Sequence, residues 1–225
     1  MAVVGALVIC SATGALAQVS GSVSVLSDYR FRGVSLSSEQ PAAQAEVNYD
    51  STNGWYAGAF VSSVKLDFYP SLNHLLLTHA GYARRIGPDL SIDAGVSYAD
   101  FSAGSDFDYL EAHAGVTAGS INVQLAFAPT YFGQHRGATY LELNGGTQLR
   151  ESLRVFAHVG VLYVRPEADQ HAATSQVDAR IGLRYEREWF SAQLSRVAAS
   201  GISLVYPVEI SQRRGAWVVQ VTALF

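Results

Sequence analysis

Acidic and basic side chains recur at alternate positions in segments whose other positions are apolar. They are Asp28, Arg30, Glu46, Asp50, Asp93, Glu111, Glu142, Arg154, Asp178, Arg180, Arg184 and Glu186. Alternate residues of a β-strand share a face, so these charges are predicted to line one wall that lies opposite an apolar wall. Because an unpaired buried charge is very costly, the charged wall must meet water or be densely ion-paired. The chemistry it suggests is the passage of small polar solutes along a hydrated lumen.

Three arginines give this predicted wall a further pattern. Arg180 and Arg184 share a face of one segment, and Arg154 lies on the neighbouring segment. They could form a basic ladder opposite acidic residues, as in the constrictions of general porins. They could equally be held in mutual salt bridges that plug the lumen. Because both charge signs occur along the wall, we expect no strong selectivity for ions of one charge.

Asp28, Arg30 and Arg32 form a second charged group, with the three residues spaced two apart at the outer end of the first segment. One interpretation is a constriction or a ligand contact near the mouth of the lumen. The other is a structural network that closes the first strand against the last, or that folds residues 33–42 inward. The sequence leaves both interpretations open.

Catalytic and cofactor chemistry are not predicted. A hydrolase needs a nucleophile, a histidine and an orienting polar group within hydrogen-bond reach, and no serine has a recognisable nucleophile context. The histidines form no metal-binding motif; they are His74, His79, His113, His135, His158 and His171. The one cysteine is Cys10, and the net charge of −4 gives no basic footprint for nucleic acid. We therefore expect no enzyme activity, no metal or other cofactor, and no nucleic-acid partner.

Twelve segments with period-two alternation must position these side chains. They cover residues 19–31, 43–50, 54–65, 74–85, 90–99, 108–118, 121–132, 139–150, 153–165, 176–187, 188–198 and 215–225. The third segment has apolar or small residues on both faces, so its register is ambiguous. Only 15 % of the chain is charged, against roughly 25 % in soluble domains. This composition favours a β-protein with an apolar outer face.

The connections between these segments alternate in length. Tight turns near residues 52–54, 87–89, 119–120 and 150–152 carry Gly, Asn, Asp and Ser. Longer stretches occupy 33–42, 66–73, 101–107, 166–175 and 199–214. Short periplasmic turns and longer extracellular loops are typical of outer-membrane barrels. We predict an all-β fold, a transmembrane antiparallel up-and-down β-barrel of about 12 strands with both ends in the periplasm.

Aromatic residues of the predicted outer face fall into two tiers. The periplasmic tier is predicted to hold Tyr49, Trp55, Tyr82, Tyr185, Phe190 and Phe225, and the outer tier Tyr29, Phe31, Tyr98, Tyr131, Tyr163 and Trp217. A strand tilted by about 40° spans roughly 20 Å between Trp217 and Phe225. That length approaches the roughly 25 Å apolar band of such barrels. The tiers therefore predict a membrane girdle in contact with outer-membrane lipid and lipopolysaccharide.

The two ends of the sequence suggest export to that membrane. Residues 1–17 combine an apolar run with the small-residue pattern Ala15-Leu16-Ala17, which predicts a signal peptide followed by a single barrel domain at 18–225. The last segment alternates apolar residues and ends on Phe225. We expect this strand to pair with the first one and to be recognised by the barrel-assembly machinery of the outer membrane.

Three short motifs carry a family resemblance. The stretch S-D-Y-R-F-R-G-V-S at 27–35 resembles the opening signature of the TorF-like family of proteobacterial outer-membrane porins. The segments P-A-A-Q at 41–44 and N-G-W-Y-A-G at 53–58 are similar to further parts of that family. The resemblance is sharpest over 27–58 and diffuse from there to Phe225. Ala45 stands where the family commonly has Gly, at a lipid-facing position. The resemblance implies an outer-membrane β-barrel with porin activity and implies no particular solute.

The function predicted from the sequence is that of an outer-membrane porin. Twelve strands enclose more room than the filled eight-stranded barrels and less than the wide sixteen-stranded porins. We therefore expect a narrow hydrated passage for small polar solutes. The alternative is a closed structural or adhesion barrel whose extracellular loops bind a partner.

Overall fold

The computed structural model of the chain describes residues 18–66, 73–102, 106–134, 136–166, 174–200, 206 and 212–225. The predicted signal peptide at 1–17, His135, His171 and parts of the longer loops lie outside these residues. No helix within the described residues is long and apolar enough to cross a membrane.

Fourteen β-strands form in the described residues. Their bounds are β1 (Gln18–Leu26), β2 (Arg30–Phe31), β3 (Val34–Ser35), β4 (Ala42–Asp50), β5 (Trp55–Ser63), β6 (His74–Arg85), β7 (Leu90–Phe101), β8 (Tyr109–Ala118), β9 (Ile121–Ala128), β10 (Ala138–Arg150), β11 (Leu153–Val164), β12 (Thr174–Glu186), β13 (Phe190–Ala199) and β14 (Gly215–Leu224). Twelve of them form one closed antiparallel barrel, and β2 pairs only with β3. The predicted fold and strand number are confirmed.

The barrel closes where the first strand meets the last. β1 pairs with β4 on one side and with β14 on the other. The closing seam continues to the last residue, because the Gly21 N–H donates to the Phe225 carbonyl over 2.8 Å and the Phe225 N–H donates to the Gly21 carbonyl over 3.0 Å. With every barrel strand paired on both sides, no edge is left.

Connection lengths divide the barrel into two ends. At the end that holds Gln18 and Leu224, here called the turn end, short connections join β4 to β5, β6 to β7, β8 to β9, β10 to β11 and β12 to β13. The longer connections all lie at the opposite end, here called the loop end. Gly54 illustrates the tightness of the turns, since its φ is +95° and an added Cβ would lie 2.4 Å from the Ala83 carbonyl oxygen. The predicted alternation of short and long connections is confirmed.

The outer wall is apolar along every strand. Exposed side chains at alternate positions include Val19, Tyr49, Trp55, Leu76, Ile92, Tyr98, Leu110, Leu125, Leu141, Val161, Tyr163, Ile181, Tyr185, Trp217 and Phe225. On β5, Trp55 and Val61 face outward while Tyr56 hydrogen-bonds inside the barrel, which gives the strand the register that its sequence leaves ambiguous. A continuous apolar surface of this kind suits lipid.

The first strand is shorter than predicted, and this changes the placement of several residues. β1 ends at Leu26, after which residues 28–37 turn into the barrel interior and form the β2–β3 hairpin, here called the inner hairpin. The prediction that Tyr29, Phe31 and Tyr131 belong to the outer aromatic tier is wrong, because all three side chains are buried inside. β9 likewise ends at Ala128, so that Tyr131 lies in an inward turn instead of on the wall.

Candidate functional site: the barrel lumen

The interior of the barrel is divided into an apolar half and a polar half. Fully or nearly buried apolar side chains fill the half toward the loop end; they include Leu26, Val34, Leu36, Val64, Leu66, Leu75, Leu77, Phe101, Leu162 and Val164. Charged and amide side chains occupy the half toward the turn end, on the inward positions of the same strands. The inner hairpin supplies the centre of the apolar half.

A network around Asp28 folds the start of the inner hairpin. The Arg30 Nε donates to Asp28 Oδ2 over 2.6 Å, and the Ser35 Oγ donates to Asp28 Oδ1 over 2.6 Å. The Ser37 Oγ reaches the same carboxylate and also accepts a bond from the Tyr29 N–H. Asp28 therefore ties both arms of the hairpin together, and the structure favours the inward-folding interpretation of the Asp28, Arg30 and Arg32 group. Because they lie in the hairpin segment, Asp28 and Arg30 do not lie on the strand wall where they were predicted.

Arg32 at the hairpin tip joins the hairpin to the far wall. Its Nη2 donates to both carboxylate oxygens of Glu111 on β8, over 2.9 and 2.7 Å, and its Nη1 donates to the Tyr131 hydroxyl over 2.9 Å. The guanidinium carbon lies 4.0 Å from the ring centroid of Tyr140 on β10, a cation–π geometry. Both bonds to the carboxylate come from the same nitrogen, so the contact is a charge-assisted pair through Nη2 alone.

Burial and charge act in opposite directions on Arg32. Burial alone would lower its pKa, but Glu111 and the neighbouring tyrosines raise the pKa well above its usual value. Burial also raises the pKa of Tyr131 to about 12, so that its phenol stays neutral. The contact therefore pairs a buried guanidinium with the Glu111 side chain, beside a neutral phenol.

Aromatic rings pack around the hairpin tip. Phe132 lies 6.0 Å from Phe31, 5.1 Å from Tyr109 and 5.0 Å from Tyr206, measured between ring centroids. Tyr131 packs edge-on against Phe132 at 4.9 Å. Such edge-to-face pairs each add about 0.5–1.5 kcal/mol beyond the area they bury. The Tyr131–Phe132 turn and the inner hairpin thus form one packed unit.

The contacts of the inner hairpin show that it crosses the lumen. It starts between β1 and β4, yet Tyr29 meets Phe60 on β5, and the Arg32 carbonyl accepts a bond from the Gln176 side chain on β12. A Cβ on Gly33 would lie 2.8 Å from the Ala199 Cβ on β13. The hairpin therefore spans from one wall to the opposite wall at the loop end.

Two matched polar clusters lie on the inner wall. In the first, the Tyr56 hydroxyl donates to Asp93 Oδ2 over 3.1 Å and lies 3.0 Å from His113 Nε2. The imidazole lies 3.2 Å from the same carboxylate. The Tyr56 ring reaches across β6 because Gly81 offers no side chain; a Cβ there would lie 2.3 Å from the hydroxyl.

The second cluster repeats this arrangement on β10, β11 and β12. The Tyr140 hydroxyl lies 2.9 Å from Asp178 Oδ2 and 3.0 Å from His158 Nε2, and His158 Nε2 lies 2.9 Å from Asp178 Oδ1. Asn144 Oδ1 accepts from His158 Nδ1 over 2.7 Å. A Cβ on Gly160 would lie 2.0 Å from the Tyr140 hydroxyl. Each cluster braces three or four neighbouring strands.

Three arginines form a basic wall, defined by Arg154 on β11 and by Arg180 and Arg184 on β12. The Arg180 Nε donates to the Ser195 hydroxyl over 3.1 Å, and Arg184 donates twice to Gln193 Oε1. Only Arg184 has a carboxylate nearby, Glu186 at 3.5 Å. Within the described residues, Arg154 and Arg180 have no carboxylate oxygen within 4.0 Å. Mutual salt bridges therefore do not neutralise this wall.

An acidic wall faces the same chamber from other strands. Glu46 and Asp50 lie on inward positions of β4 and Asp93 on β7, and Glu46 accepts a bond from the Asn48 amide over 3.0 Å. β1, β14 and β13 separate β4 from β12, and β8, β9 and β10 separate β7 from β11. Glu142 lies between the two walls on β10, bonded to Asn144 and nearly buried. Asp178 and Glu186 share the inward face of β12 with Arg180 and Arg184, so the basic and acidic walls differ in their net charge without full segregation of the two charge signs.

The predicted lumen residues other than Asp28 and Arg30 occupy inward positions of barrel strands. They are Glu46, Asp50, Asp93, Glu111, Glu142, Arg154, Asp178, Arg180, Arg184 and Glu186. Sequence reasoning missed Tyr56 and Tyr140, whose hydroxyls complete the two clusters. The available signal was an inward Tyr close to a Gly of the next strand. Gly81 is the direct register partner of Tyr56, whereas Gly160 lies two residues from Leu162, the register partner of Tyr140. No group of three or more potential metal ligands occurs in the described part of the chain.

The predicted girdle residues divide into two groups. Tyr49, Tyr82, Tyr98, Tyr163, Tyr185, Trp217 and Phe225 occupy outward strand positions or, for Phe225, the end of the last strand. Tyr82 packs against Trp55 with a centroid distance of 5.3 Å. Tyr29 and Tyr131 lie inside, as described above. The contact of the outward residues with lipid stays a prediction.

Comparison with known proteins identifies a family and a fold. The chain matches the family described as "Bacterial protein of unknown function (Gcw_chp)" over residues 11–223, and it belongs to that family. No curated protein matches the sequence.

Several solved outer-membrane barrels share the fold. The chain is 12 % identical to the KdgM porin with a TM-score of 0.59, covering 92 % of this chain and 99 % of that one. It is 7 % identical to the NanC porin with a TM-score of 0.60 over the same shares. An outer membrane channel from Pseudomonas putida F1 is 9 % identical with a TM-score of 0.52, covering 93 % and 95 % of the two chains. At these identities the likeness establishes the barrel fold alone.

Proposed function

We propose that this Gcw_chp family member is an outer-membrane channel for small polar solutes, and that the inner hairpin closes its loop end in the conformation described. The solute path would run through the polar chamber between the basic and acidic walls. Opening would require the hairpin to move from the loop-end half of the lumen.

The observation that carries this proposal is the pair of arginines, Arg154 and Arg180, that point into the lumen without a carboxylate within 4.0 Å in the described structure. A barrel built only as a scaffold would neutralise or avoid such charges, because the removal of an unpaired cation from water costs on the order of several kcal/mol. A hydrated chamber removes that cost. The unequal net charge of the basic and acidic walls then places a transverse field across the path.

The fold likeness supports the same proposal. One solved structure is described as the KdgM porin in complex with disordered oligogalacturonate, with a TM-score of 0.56 and 11 % identity. A porin of this fold therefore forms a complex with a polar carbohydrate. The resemblance of residues 27–58 to the TorF-like porins points to the same class of protein.

The proposed location follows from the outer wall. Its apolar rows and aromatic residues suit outer-membrane lipid and lipopolysaccharide. We further propose that the chain reaches that membrane by way of the signal peptide predicted at 1–17. The barrel-assembly machinery would then act on the strand that closes the barrel.

A second candidate function is supported by the packed inner hairpin. The buried Arg32–Glu111 ion pair and the surrounding aromatic rings would also suit a permanently closed barrel. In that case the extracellular loops would bind a partner and the polar chamber would have no transport role.

Liposome swelling distinguishes the two candidates. A hairpin-shortened variant, in which residues 27–41 are replaced by a short Gly-Ser linker, is feasible because Leu26 and Ala42 are already direct register partners. The channel proposal predicts fast swelling of liposomes containing this variant in a monosaccharide and no swelling in a large dextran. Intact protein should give a slower rate that still exceeds that of protein-free liposomes. If folded protein of both forms gave only the protein-free rate, the closed-barrel function would replace the channel.

A further inference from the structure

We propose that the basic wall is a binding site for the carboxylate of a small anionic solute. The inference rests on the proposed channel for its biological setting, but the site itself is argued from the geometry of Arg154, Arg180, Arg184 and Gln193.

Arg180 and Arg184 are held apart at a fixed spacing. Both lie on β12 with Gly182 between them, and the Phe156 ring of β11 occupies the space over that glycine, where a Cβ would lie 2.5 Å from Phe156 Cζ. Each guanidinium carbon lies 5.5 Å from the centroid of the Phe156 ring. The ring thus separates two cations that would otherwise repel each other at close range.

Neighbouring polar side chains orient these two cations without neutralising them. Gln193 Oε1 accepts from both Nε and Nη2 of Arg184, over 3.1 and 2.8 Å. The Ser195 hydroxyl, which is fully buried, accepts from the Arg180 Nε over 3.1 Å. Because hydroxyl and amide oxygens carry no net charge, the wall keeps its positive charge while its geometry is fixed.

An unpartnered donor lies in the same place. The Gln193 Nε2 is buried and has no hydrogen-bond partner among the described residues. The amide oxygen is already engaged by Arg184, so the amide nitrogen must point away from it. A buried donor without an acceptor is unfavourable, so a small movement of the Gln193 amide toward an incoming oxyanion would be favourable.

Arg154 adds a third cation on the adjacent strand. Arg154 and Arg184 are direct register partners on β11 and β12, and the Arg154 Nε lies 3.3 Å from the position of a Cβ on Gly146. The nearby acids are engaged elsewhere: Asp178 accepts from Tyr140 and lies against His158, and Glu142 accepts from Asn144. Glu186 meets Arg184 at the long distance of 3.5 Å.

The donors of the basic wall suit an oxyanion, and the apolar ring beside them favours an organic carboxylate over inorganic phosphate. Guanidinium groups present paired N–H donors that match the two oxygens of a carboxylate. The Phe156 ring and the wall glycines provide an apolar floor that suits the ring of a sugar acid. The mixed signs of the whole lumen suggest no strong ion selectivity, whereas the lack of a carboxylate oxygen within 4.0 Å of Arg154 and Arg180 in the described residues gives this one wall a local preference for anions.

Direct binding tests the site independently of transport. Refolded full-length protein in detergent micelles would be titrated with glucuronate, with glucose as the neutral analogue, and with inorganic phosphate to separate carboxylate recognition from general anion attraction. We expect saturable binding of glucuronate and none of glucose. Arg180→Gln and Arg184→Gln should each weaken glucuronate binding at least about tenfold, the loss of a charge-assisted hydrogen bond.

Arg196→Gln is the matched control. Arg196 lies on the outer face of β13, with its guanidinium 6.0 Å from the Trp217 ring, so this variant loses the same charge outside the lumen. It should bind glucuronate as the unaltered protein does. Equal binding of glucuronate and glucose, equally tight binding of phosphate, or equal weakening by Arg196→Gln would each overturn the proposal. A protein that binds glucuronate but conducts nothing would refute the channel and leave the binding site standing.

Discussion

Two tyrosine–glycine pairs, Tyr56 with Gly81 and Tyr140 with Gly160, connect neighbouring strands of the inner wall. Tyr56 and Tyr140 each lie across a neighbouring strand at a glycine. The Tyr56 hydroxyl meets Asp93 two strands away and His113 three strands away, whereas the Tyr140 hydroxyl meets His158 on the adjacent strand and Asp178 two strands away. The hydroxyl of each tyrosine is satisfied by groups whose sequence separations run from 18 to 57 residues. Glycine at these positions is therefore required for space, with no positive φ involved.

Replacement of Gly160 by Ala tests this requirement. The new methyl group would overlap the Tyr140 hydroxyl, with a separation of 2.0 Å, and displace it from Asp178 and His158. We expect a loss of about 1–3 kcal/mol in the free energy of unfolding, as for other overpacked sites. Urea unfolding in detergent micelles measures it.

Gly145→Ala provides the control for that substitution. Gly145 is also a strand glycine without positive φ, but the nearest atom to an added Cβ is the Ser120 carbonyl oxygen at 3.8 Å, an ordinary contact. This variant should unfold at the same urea concentration as the unaltered protein, or slightly higher. Equal destabilisation by both substitutions would mean that the tyrosine cluster does not brace the wall.

The Arg32–Glu111 pair can be tested in the same way. Its side chains are 2 % and 13 % exposed, so replacing Arg32 with Met leaves Glu111 nearly buried and unpaired. We expect a loss of about 3 kcal/mol in the free energy of unfolding. The double variant Arg32→Met with Glu111→Leu should regain much of that loss, because the unpaired charge is gone.

Limited proteolysis shows whether the Arg32–Glu111 pair stabilises the inner hairpin or the whole barrel. The single variant should expose the segment around the inner hairpin to protease before the barrel unfolds, and the double variant should be cleaved more slowly. If the single and double variants were equally stable and equally resistant, the pair would not hold the hairpin inside.

At the scale of elements, the sequence predicts the barrel strands but not the inner hairpin. Period-two alternation depends on neighbouring residues only, so the positions of β4 to β14 follow from local pattern to within a few residues. Tyr29 and Phe31 continue the alternation of β1, although the chain has left the wall after Leu26. Periodicity does not distinguish an apolar side chain that faces lipid from one that packs inside a plugged lumen.

Contacts between distant residues place the hairpin. Arg32 bonds to Glu111 and Tyr131, which are 79 and 99 residues away along the chain, and no local pattern encodes such pairs. Its own φ of 48° and the φ of 81° at Gly33 form the tight tip. Within the motif at 27–35, the Arg32-Gly33 pair is the one local sign that the chain turns at the hairpin tip. The charged wall was predictable, since alternation alone aims its side chains inward.

The closing seam between β1 and β14 carries a prediction about assembly. Deletion of Phe225 removes two backbone hydrogen bonds to Gly21 and the ring that lies over that glycine. We expect a reduced fraction of folded barrel in outer-membrane fractions, judged by the mobility difference between boiled and unboiled samples. Phe225→Tyr keeps the bonds and the ring and should assemble normally. Normal folding after the deletion would show that the seam does not need this residue.

At the scale of the whole molecule, the barrel combines a packed half and a charged half in one lumen. The packed half is centred on a hairpin whose removal leaves β1 and β4 already in register. The charged half holds a basic wall without compensating carboxylates at Arg154 and Arg180 in the described residues. In the proposed function, these two halves make the barrel a conduit that the inner hairpin closes at the loop end.

Planar-bilayer conductance of the intact and the hairpin-shortened proteins is the most direct test of whether the inner hairpin closes the channel. Insertion of the same Gly-Ser linker at the Gly119–Ser120 turn, far from the hairpin at the turn end, is the control for chain alteration. Once all three proteins are shown to be folded, we expect long, discrete open steps for the hairpin-shortened protein and rare, brief steps for the intact and control proteins. Indistinguishable conductance in all three would contradict the claim that the inner hairpin closes the channel.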